Sequence, residues 1–299
     1  YVWFPLLENK MTQTENNFRG SIDLKADLTT HLRWQGLASV NYIGTNWDNK
    51  QRGQDVGFGN PRYNVSNTNK TIERYQSSLV YTNDLTPFFS LMVQGGGEVN
   101  RGVQQSLSAQ MESYILPDVY RLSNSNVPAT VSESAPNKYQ SSSAFAQAQL
   151  GYKEFLYLNL YGRNDWNSTL VYNDGHGNYS YFYPGADVSW IFTDNFKLPA
   201  AFDYGKLRAS FASVGGGTTN YTANTGAYTA NGSYNGVASY SYSSNTLPNQ
   251  SLLPTRSHKF ESGIELKFFR NRLGADITFY NQDSKAQIIS FSSPIESGV

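Results

Sequence analysis

Ten segments of this sequence alternate between apolar and polar residues with a period of two, and that pattern constrains the fold most strongly. From Phe18 to Leu28 the even positions carry Phe, Gly, Ile, Leu or Ala, whereas the odd positions carry Arg, Ser, Asp or Lys. Successive side chains of a β-strand point to opposite faces, so this segment predicts a strand with one apolar and one charged face. The pattern resumes from Leu32 to Tyr42, which predicts a hairpin.

The connections between these segments alternate strictly between short and long. The pattern predicts five hairpins, at approximately residues 18–43, 72–99, 141–164, 181–213 and 257–282. Long polar loops are predicted at approximately residues 44–71, 100–140, 165–180, 214–256 and 283–299. Outer-membrane barrels have short periplasmic turns and longer extracellular loops. We therefore predict an all-β chain, an antiparallel up-and-down transmembrane β-barrel with about ten strands, whose long loops are extracellular.

The composition fits a barrel better than a typical soluble domain. Aromatic residues make up 15% of the chain and charged residues 15%, while the mean hydropathy is −0.51. The polarity thus comes from uncharged residues, which suit a hydrated lumen, and Tyr and Trp suit the membrane interface. No apolar run reaches the roughly 20 residues of a membrane helix. The net charge of zero gives no reason to expect nucleic acid.

A soluble β-sandwich or propeller is the main alternative, because alternation there means that one face packs into a core. A propeller would show a motif repeated at a fixed period, and this sequence shows none. A soluble all-β carbohydrate-binding module therefore stays open as the less favoured interpretation.

Several stretches of the sequence resemble the SusC/RagA family of TonB-dependent outer-membrane transporters. The clearest is Leu158 to Leu170, which reads LNLYGRNDWNSTL. Further similar blocks follow in register: YFYPGADVSWIF from 181, GKLRASFASVG from 205, FESG from 260 and FFRNRL from 268. One departure is Thr255, since family members usually have an acidic residue after the proline that corresponds to Pro254.

The resemblance implies more than this chain contains. It implies a barrel of about 22 strands around a plugged lumen, a SusD-like surface lipoprotein as a lid, and TonB as the energy source. We expect the plug and the TonB-contacting segment before residue 1, and the closing strands after residue 299. The edge strands near Phe18 and Leu273 would then pair with strands outside this sequence, because unpaired backbone groups are costly in lipid. Closure of the ten strands on themselves as a small barrel is the alternative.

The sequence contains little that points to catalysis. None of His31, His176 and His258 shows metal-ligand spacing, and each is interpreted as a solvated surface residue. No Gly-x-Ser-x-Gly motif is present and no cysteine occurs. We therefore predict no enzyme, no metal and no cofactor.

Candidate ligand contacts are found in the loops. Trp166 follows a strand end, where it could touch substrate or belong to an aromatic girdle. The stretch from Thr218 to Ser251 has no charged residue and is rich in Tyr, Asn and Ser, which give adaptable contact surface. It could contact a ligand, neighbouring loops or the lipoprotein. Its candidate ligand-contacting residues are Tyr221, Tyr228, Tyr234 and Tyr240.

The predicted function is TonB-dependent uptake of oligosaccharide or peptide fragments through the lipid of the outer membrane, together with the SusD-like lipoprotein. An outer-membrane binding or scaffold barrel without transport is the alternative, and this part of the chain does not separate the two.

Overall fold

The computed structural model describes residues 9–52, 61–196, 198–224, 228–242 and 249–289, and these residues are almost entirely β-structure. The helix in these residues is confined to single turns of 3-10 helix, and irregular loops join several of the strands. The strands are β1 Lys10–Asp27, β2 Leu32–Gln51, β3 Arg62–Thr86, β4 Phe89–Met111, β5 Thr130–Glu133, β6 Asn137–Tyr152, β7 Leu156–Asn167, β8 Ser180–Ile191, β9 Phe202–Gly216, β10 Tyr228–Tyr234, β11 Val237–Tyr242, β12 Thr255–Phe268 and β13 Leu273–Lys285.

The main sheet follows chain order, with β1, β2, β3, β4, β6, β7, β8, β9, β12 and β13 as successive neighbours. Strand β5 pairs with β4, and β10 and β11 form a separate two-stranded sheet. The short turns are tight: at Lys153 and Glu154, between β6 and β7, both φ angles are positive, as in a type I′ hairpin turn. The predicted antiparallel up-and-down arrangement is confirmed.

The apolar face of the main sheet is exposed rather than packed in a core. Ile22 on β1 is 64% exposed and Ile277 on β13 is 65% exposed, and most large apolar residues of the predicted strands share this property. A soluble sandwich would bury this face against a second sheet, but all ten predicted strands belong to one sheet. The sandwich and propeller alternatives are therefore wrong.

Aromatic rings cluster where the short turns are located. Trp190 lies 5.9 Å from Phe196 between ring centroids, and Phe202 lies 4.4 Å from Phe268. The ammonium of Lys153 lies 5.0 Å from the centroid of the Phe88 ring. Amphipathic aromatic rings and snorkelling lysines are typical of a membrane–water interface.

The chain forms two compact units. The first comprises Tyr1–Ile22, Leu37–Tyr75 and Asn100–Tyr139, and the second comprises Asp23–Gly36, Gln76–Val99 and Gln140–Val299. The first unit consists mostly of the strand ends of β1 to β4 that are farther from the short turns. Its strands are joined by uncharged side chains, as where the Asn67 amide donates to Asn46 at 2.6 Å and Tyr42 donates to Asn69 at 2.7 Å.

The second unit contains the short turns together with strands β7 to β13. An indole N–H on an apolar face needs a hydrogen-bond acceptor. The Trp34 N–H donates to the hydroxyl of Ser77 on the neighbouring strand at 3.0 Å. Within the described ranges, no helix is long and apolar enough to cross a membrane.

Strand ends differ from the sequence-based boundaries. The predicted loop 44–71 is largely strand among its described residues, because β2 runs to residue 51 and β3 begins at 62. About half of the predicted loop 100–140 is strand, because β4 runs to 111 and parts of β5 and β6 also lie there. The predicted loop 214–256 contains β10 and β11. The extensions of β2 and β3 are polar on both faces and so lack the apolar alternation that marks a strand, whereas the extension of β4 keeps it at Val103, Leu107, Ala109 and Met111. The C-terminal predicted loop, 283–299, begins inside β13, and residues from 290 onward lie outside the described ranges. The extracellular side assigned to these loops stays a prediction.

Strands β1 and β13 stand at the two ends of the strand order. Closure of the ten strands as a small barrel would make these two strands neighbours, and that pairing is not part of the sheet. The small-barrel alternative is therefore wrong for this chain. Pairing of these edges with strands outside the sequence stays a prediction.

Candidate functional site

A network of charged and hydroxyl groups, which we call the polar network, lies on the polar face near the loop ends of β7 and β8. It consists of Glu98, Arg163, Asp165 and Tyr183. Arg163 and Asp165 are two residues apart on β7 and so point to the same face. Tyr183 stands directly opposite Arg163 on β8. The guanidinium Nε donates to Asp165 Oδ1 at 2.7 Å and to the Tyr183 hydroxyl at 2.9 Å, and Tyr183 also donates to Asp165.

Glu98 brings a second carboxylate to the polar network from β4. Its side chain is only 7% exposed, and Arg163 Nη2 lies 3.4 Å from Glu98 Oε1. One guanidinium therefore contacts two carboxylates on two strands. Burying carboxylates is costly unless a cation and hydrogen bonds compensate, so Arg163 holds this part of the polar face together.

Further along the polar face, charged groups bridge neighbouring strands. The Tyr161 hydroxyl on β7 donates to Asp187 on β8 at 2.5 Å. Arg208 on β9 donates to Asp276 on β13 at 2.6 and 3.1 Å, reaching across β12. This reach depends on Gly263, which pairs with Arg208, because a Cβ at that position would lie 2.8 Å from Arg208 Nε.

The loop between β7 and β8 forms a small core of its own. We call residues 168–179 the clamp loop, and we call residues 217–252 the hairpin segment because they include β10 and β11. Leu170 of the clamp loop is 0% exposed. The described buried residues of this core are Leu170, Tyr172, Tyr181, Ala223 and Leu252. Residues from the clamp loop and from both ends of the hairpin segment thus share one apolar cluster.

Hydrogen bonds join the clamp loop to both ends of the hairpin segment. At its N-terminal end, the Thr218 amide donates to Thr169 Oγ1 at 3.3 Å. At its C-terminal end, the Leu252 amide donates to the Tyr172 hydroxyl at 2.9 Å, and that hydroxyl donates in turn to the Asn249 carbonyl. Backbone groups of an irregular segment are thereby satisfied without a sheet ladder.

His176 adds a contact with the same C-terminal end. Its ring stacks on Tyr172, with centroids 4.3 Å apart and an interplanar angle of 1°. Nδ1 contacts the Asp174 carboxylate, and Nε2 lies 3.3 Å from the Gln250 carbonyl oxygen. The side-chain contact with Asp174 raises the pKa of His176, helped by the Gln250 carbonyl. Hydrogen bonds from the backbone and ring of His176 lower the pKa of Asp174.

The five predicted ligand contacts are placed in different ways. Trp166 lies at the end of β7 opposite Ser180, on the face opposite to Asp165. Tyr221 is exposed and has a φ of 64°. Tyr240 is exposed on β11 and pairs with Ala230. A role in ligand contact stays a prediction for all three.

Tyr228 and Tyr234 lie on β10, where their backbones pair with Tyr242 and Val237. Their side chains lie outside the described residues. Their role in ligand contact also stays a prediction.

Sequence reasoning missed the residues that build the loop core. Tyr172 received no role, and His176 was interpreted as a solvated residue, whereas it stacks on Tyr172 and contacts a segment 74 positions away. No local pattern indicates such a contact. Within the described ranges, no group of three or more acidic, histidine or cysteine residues is arranged to hold a metal ion.

The family model described as TonB dependent receptor-like, beta-barrel matches residues 4–298. The chain belongs to this family. Its fold is similar to that of the RagAB peptide transporter, with a TM-score of 0.84 and 16% sequence identity, over 100% of this chain and 33% of that one. The RagAB peptide importer in its open-open state gives a TM-score of 0.83 at 17% identity, over 99% of this chain and 32% of that one.

The siderophore receptor PiuA from Acinetobacter baumannii is less similar, with a TM-score of 0.52 and 16% identity over 90% of this chain and 40% of that one. No curated protein matches the sequence. This TonB-dependent receptor barrel chain thus spans about a third of the length of the RagAB chains. The resemblance to the SusC/RagA family drawn from sequence blocks is confirmed at the level of the fold.

Proposed function

We propose that this chain is part of the wall of an outer-membrane transporter that imports oligosaccharide or peptide fragments by a TonB-dependent mechanism. The single observation that carries the proposal is the match of the whole chain to the RagAB fold. Membership of the TonB-dependent receptor family supports a transport role rather than an enzymatic one.

The two faces of the sheet support insertion in a membrane. The apolar face carries exposed Phe, Leu and Ile residues, such as Phe279 and Leu24, which suit contact with lipid. The opposite face carries the polar network and the Arg208–Asp276 pair, which suit a hydrated lumen. A barrel that encloses a channel has this distribution.

The remaining parts of the proposal concern the partners and the cargo. RagAB is described as a peptide transporter, and the sequence blocks resemble a family whose members work with a SusD-like lipoprotein and with TonB. The hairpin segment offers uncharged Tyr, Asn and Ser groups to a ligand at the long-loop end. Trp166, Tyr221, Tyr228, Tyr234 and Tyr240 are the proposed contacts.

The test measures uptake by cells that produce the complete protein. Fluorescent neutral oligosaccharides and peptides of similar size are supplied to matched strains with and without TonB. The proposal predicts that one class accumulates in the periplasm and that loss of TonB abolishes this accumulation. Surface binding without accumulation in either strain would favour the scaffold alternative.

Extraction provides an independent check of the location. The complete protein should stay in the membrane fraction after carbonate treatment and enter solution only with detergent. Release by carbonate alone would contradict insertion of the apolar face in lipid.

A further inference from the structure

The clamp loop contacts the hairpin segment at both of its ends, which distinguishes it from an ordinary surface loop. At the N-terminal end, Thr169 Oγ1 accepts a hydrogen bond from the Thr218 amide at 3.3 Å. At the C-terminal end, the Tyr172 hydroxyl accepts one from the Leu252 amide at 2.9 Å. Asn178 adds a third bond, from its Nδ2 to the Leu252 carbonyl at 2.9 Å. The two ends of a segment of more than thirty residues are thus fixed to one short loop.

His176 makes this attachment dependent on protonation, for a geometric reason. The Asp174 carboxylate and the Gln250 carbonyl oxygen both accept hydrogen bonds and cannot donate them. Nδ1 faces the first and Nε2 the second, so both ring nitrogens must carry hydrogen for both contacts to form. Only the imidazolium has two N–H donors, whereas neutral histidine can make one of these contacts at a time.

We propose that the clamp loop is a pH-sensitive clamp, in which protonated His176 tightens the hold on the C-terminal end of the hairpin segment. Asp174 is the charged group that faces His176 from its own loop, and Tyr172 is the titratable group stacked on its ring. The segment packed against it, residues 249–252, reads NQSL and has no titratable side chain. The charge state of His176 therefore decides the strength of this contact.

The direction of the pH effect follows from the pKa of His176, which its contacts raise above the ordinary value of 6.5. A group with a raised pKa in the folded state contributes its full stabilisation below the ordinary value. That contribution is lost as the pH rises through the raised pKa. The clamp is therefore tight below pH 6.5 and loosens as the pH rises through the raised pKa of His176.

The clamp is a property of these contacts alone, whereas its consequence for ligand capture rests on the proposed function. If the hairpin segment contacts cargo, its described C-terminal end, residues 249–252, would be held more firmly below pH 6.5 than above the raised pKa of His176. Cargo capture would then depend on the pH outside the cell.

Hydrogen–deuterium exchange on the complete protein in detergent tests the clamp without requiring transport. Exchange of the Leu252 amide, divided by its intrinsic rate at each pH, is followed from pH 5.5 to 8.5. We expect this ratio to rise about two- to tenfold across the titration, as the loss of one hydrogen bond implies. Amides of β3 serve as the internal reference for an intact fold.

Three variants separate the clamp from general effects of pH. His176→Gln should remove the pH step, while His31→Gln, which changes a histidine in a short turn, should keep it. Tyr172→Phe keeps the ring but removes the hydroxyl bonds, so Leu252 exchange should be fast at every pH. If the β3 reference changes in His176→Gln, His176→Asn replaces it. The proposal would be overturned if the pH step in Leu252 exchange survived in a folded His176 variant, or if the parent protein showed no step.

Discussion

The two compact units satisfy their backbone groups in different ways. In the first unit, strands carry the chain: β3, with 25 residues in all, and β4, with 23, both extend into this unit, whereas about 9–11 residues suffice to cross a membrane. In the second unit, β7 and β8 each have 12 residues, and the packed clamp loop joins them. A ladder joins strands through backbone bonds, whereas the clamp loop is held by apolar packing and side-chain hydrogen bonds. The difference explains why the clamp loop contains Leu170 and Tyr172, while the first unit has amide pairs between strands.

Truncation of the loop core should produce the largest effect. Leu170→Ala leaves a cavity at a residue that is 0% exposed, so the local opening free energy of the clamp loop should fall by about 2–5 kcal/mol. The matched change in the first unit is Leu107→Ala, at a residue that is 51% exposed, and it should cost under about 1 kcal/mol. Hydrogen exchange of the two regions measures both values. Equal costs would show that the clamp loop has no core of its own.

A charge on the apolar face should locate the point on β1 where lipid contact ends. Ile22→Arg should destabilise the complete protein by about 2–4 kcal/mol if Ile22 lies near the middle of the membrane. Thr14→Arg changes an exposed residue on the same strand and face, eight positions away, and should cost close to nothing. Urea unfolding in lipid vesicles measures both. A similar cost at the two positions would contradict a strand that continues beyond the membrane.

Removal of a guanidinium should show how much more a buried ion pair contributes to stability than an exposed one. Arg163→Met takes away the cation between Asp165 and the buried Glu98, which should cost about 1–3 kcal/mol. Arg62→Met in the first unit breaks an exposed pair with Glu112 at 3.5 Å, which should cost under about 1 kcal/mol. The midpoints of denaturant unfolding compare the two variants. If Arg62→Met were the more costly change, surface pairs would hold the first unit together.

Acidification should give the smallest effect, and only in the second unit. The pKa of Asp174 is lowered from its ordinary value of 3.8, so its stabilisation is present above that value and is lost as the pH falls through the lowered pKa. Exchange of the clamp-loop amides, divided by the intrinsic rate at each pH, should therefore stay constant from pH 5 to pH 4 and increase below that range. The contact between Asn67 and Asn46 is uncharged, and its strands should show no such step. Asp174→Asn should remove the step from the clamp loop.

The same contrast explains how much of the molecule could be predicted from the sequence. Alternation from Phe18 to Leu28 predicts β1 because apolar and charged residues occupy opposite faces. No such contrast exists from Asn67 to Lys70, where β3 is polar on both faces, so its strand was interpreted as a loop. One local signal could have been used: Asn235 and Gly236 form the positive-φ turn between β10 and β11.

The candidate site was less accessible to sequence reasoning than the fold. The ion pair of Arg163 with Asp165 is a local contact, since the two residues are two positions apart on one strand. The contacts of Tyr172 and His176 join residues more than seventy positions apart, and nothing in the local sequence relates them. The arrangement depends on the register of β7, β8, β9 and β12, which tertiary pairing sets.

Arg208 has a further consequence for assembly, because its two bonds to Asp276 span three strands. They can form only if β9 pairs with β12 in the observed register and β12 pairs with β13 in the observed register. A slip of one residue in either ladder would move one of the two charges to the opposite face of the sheet. Because Gly263 has no side chain, Arg208 can cross β12, and this one ion pair forms only when both ladders are in register. A misaligned hairpin would leave one of the two charges unpaired before the wall is complete.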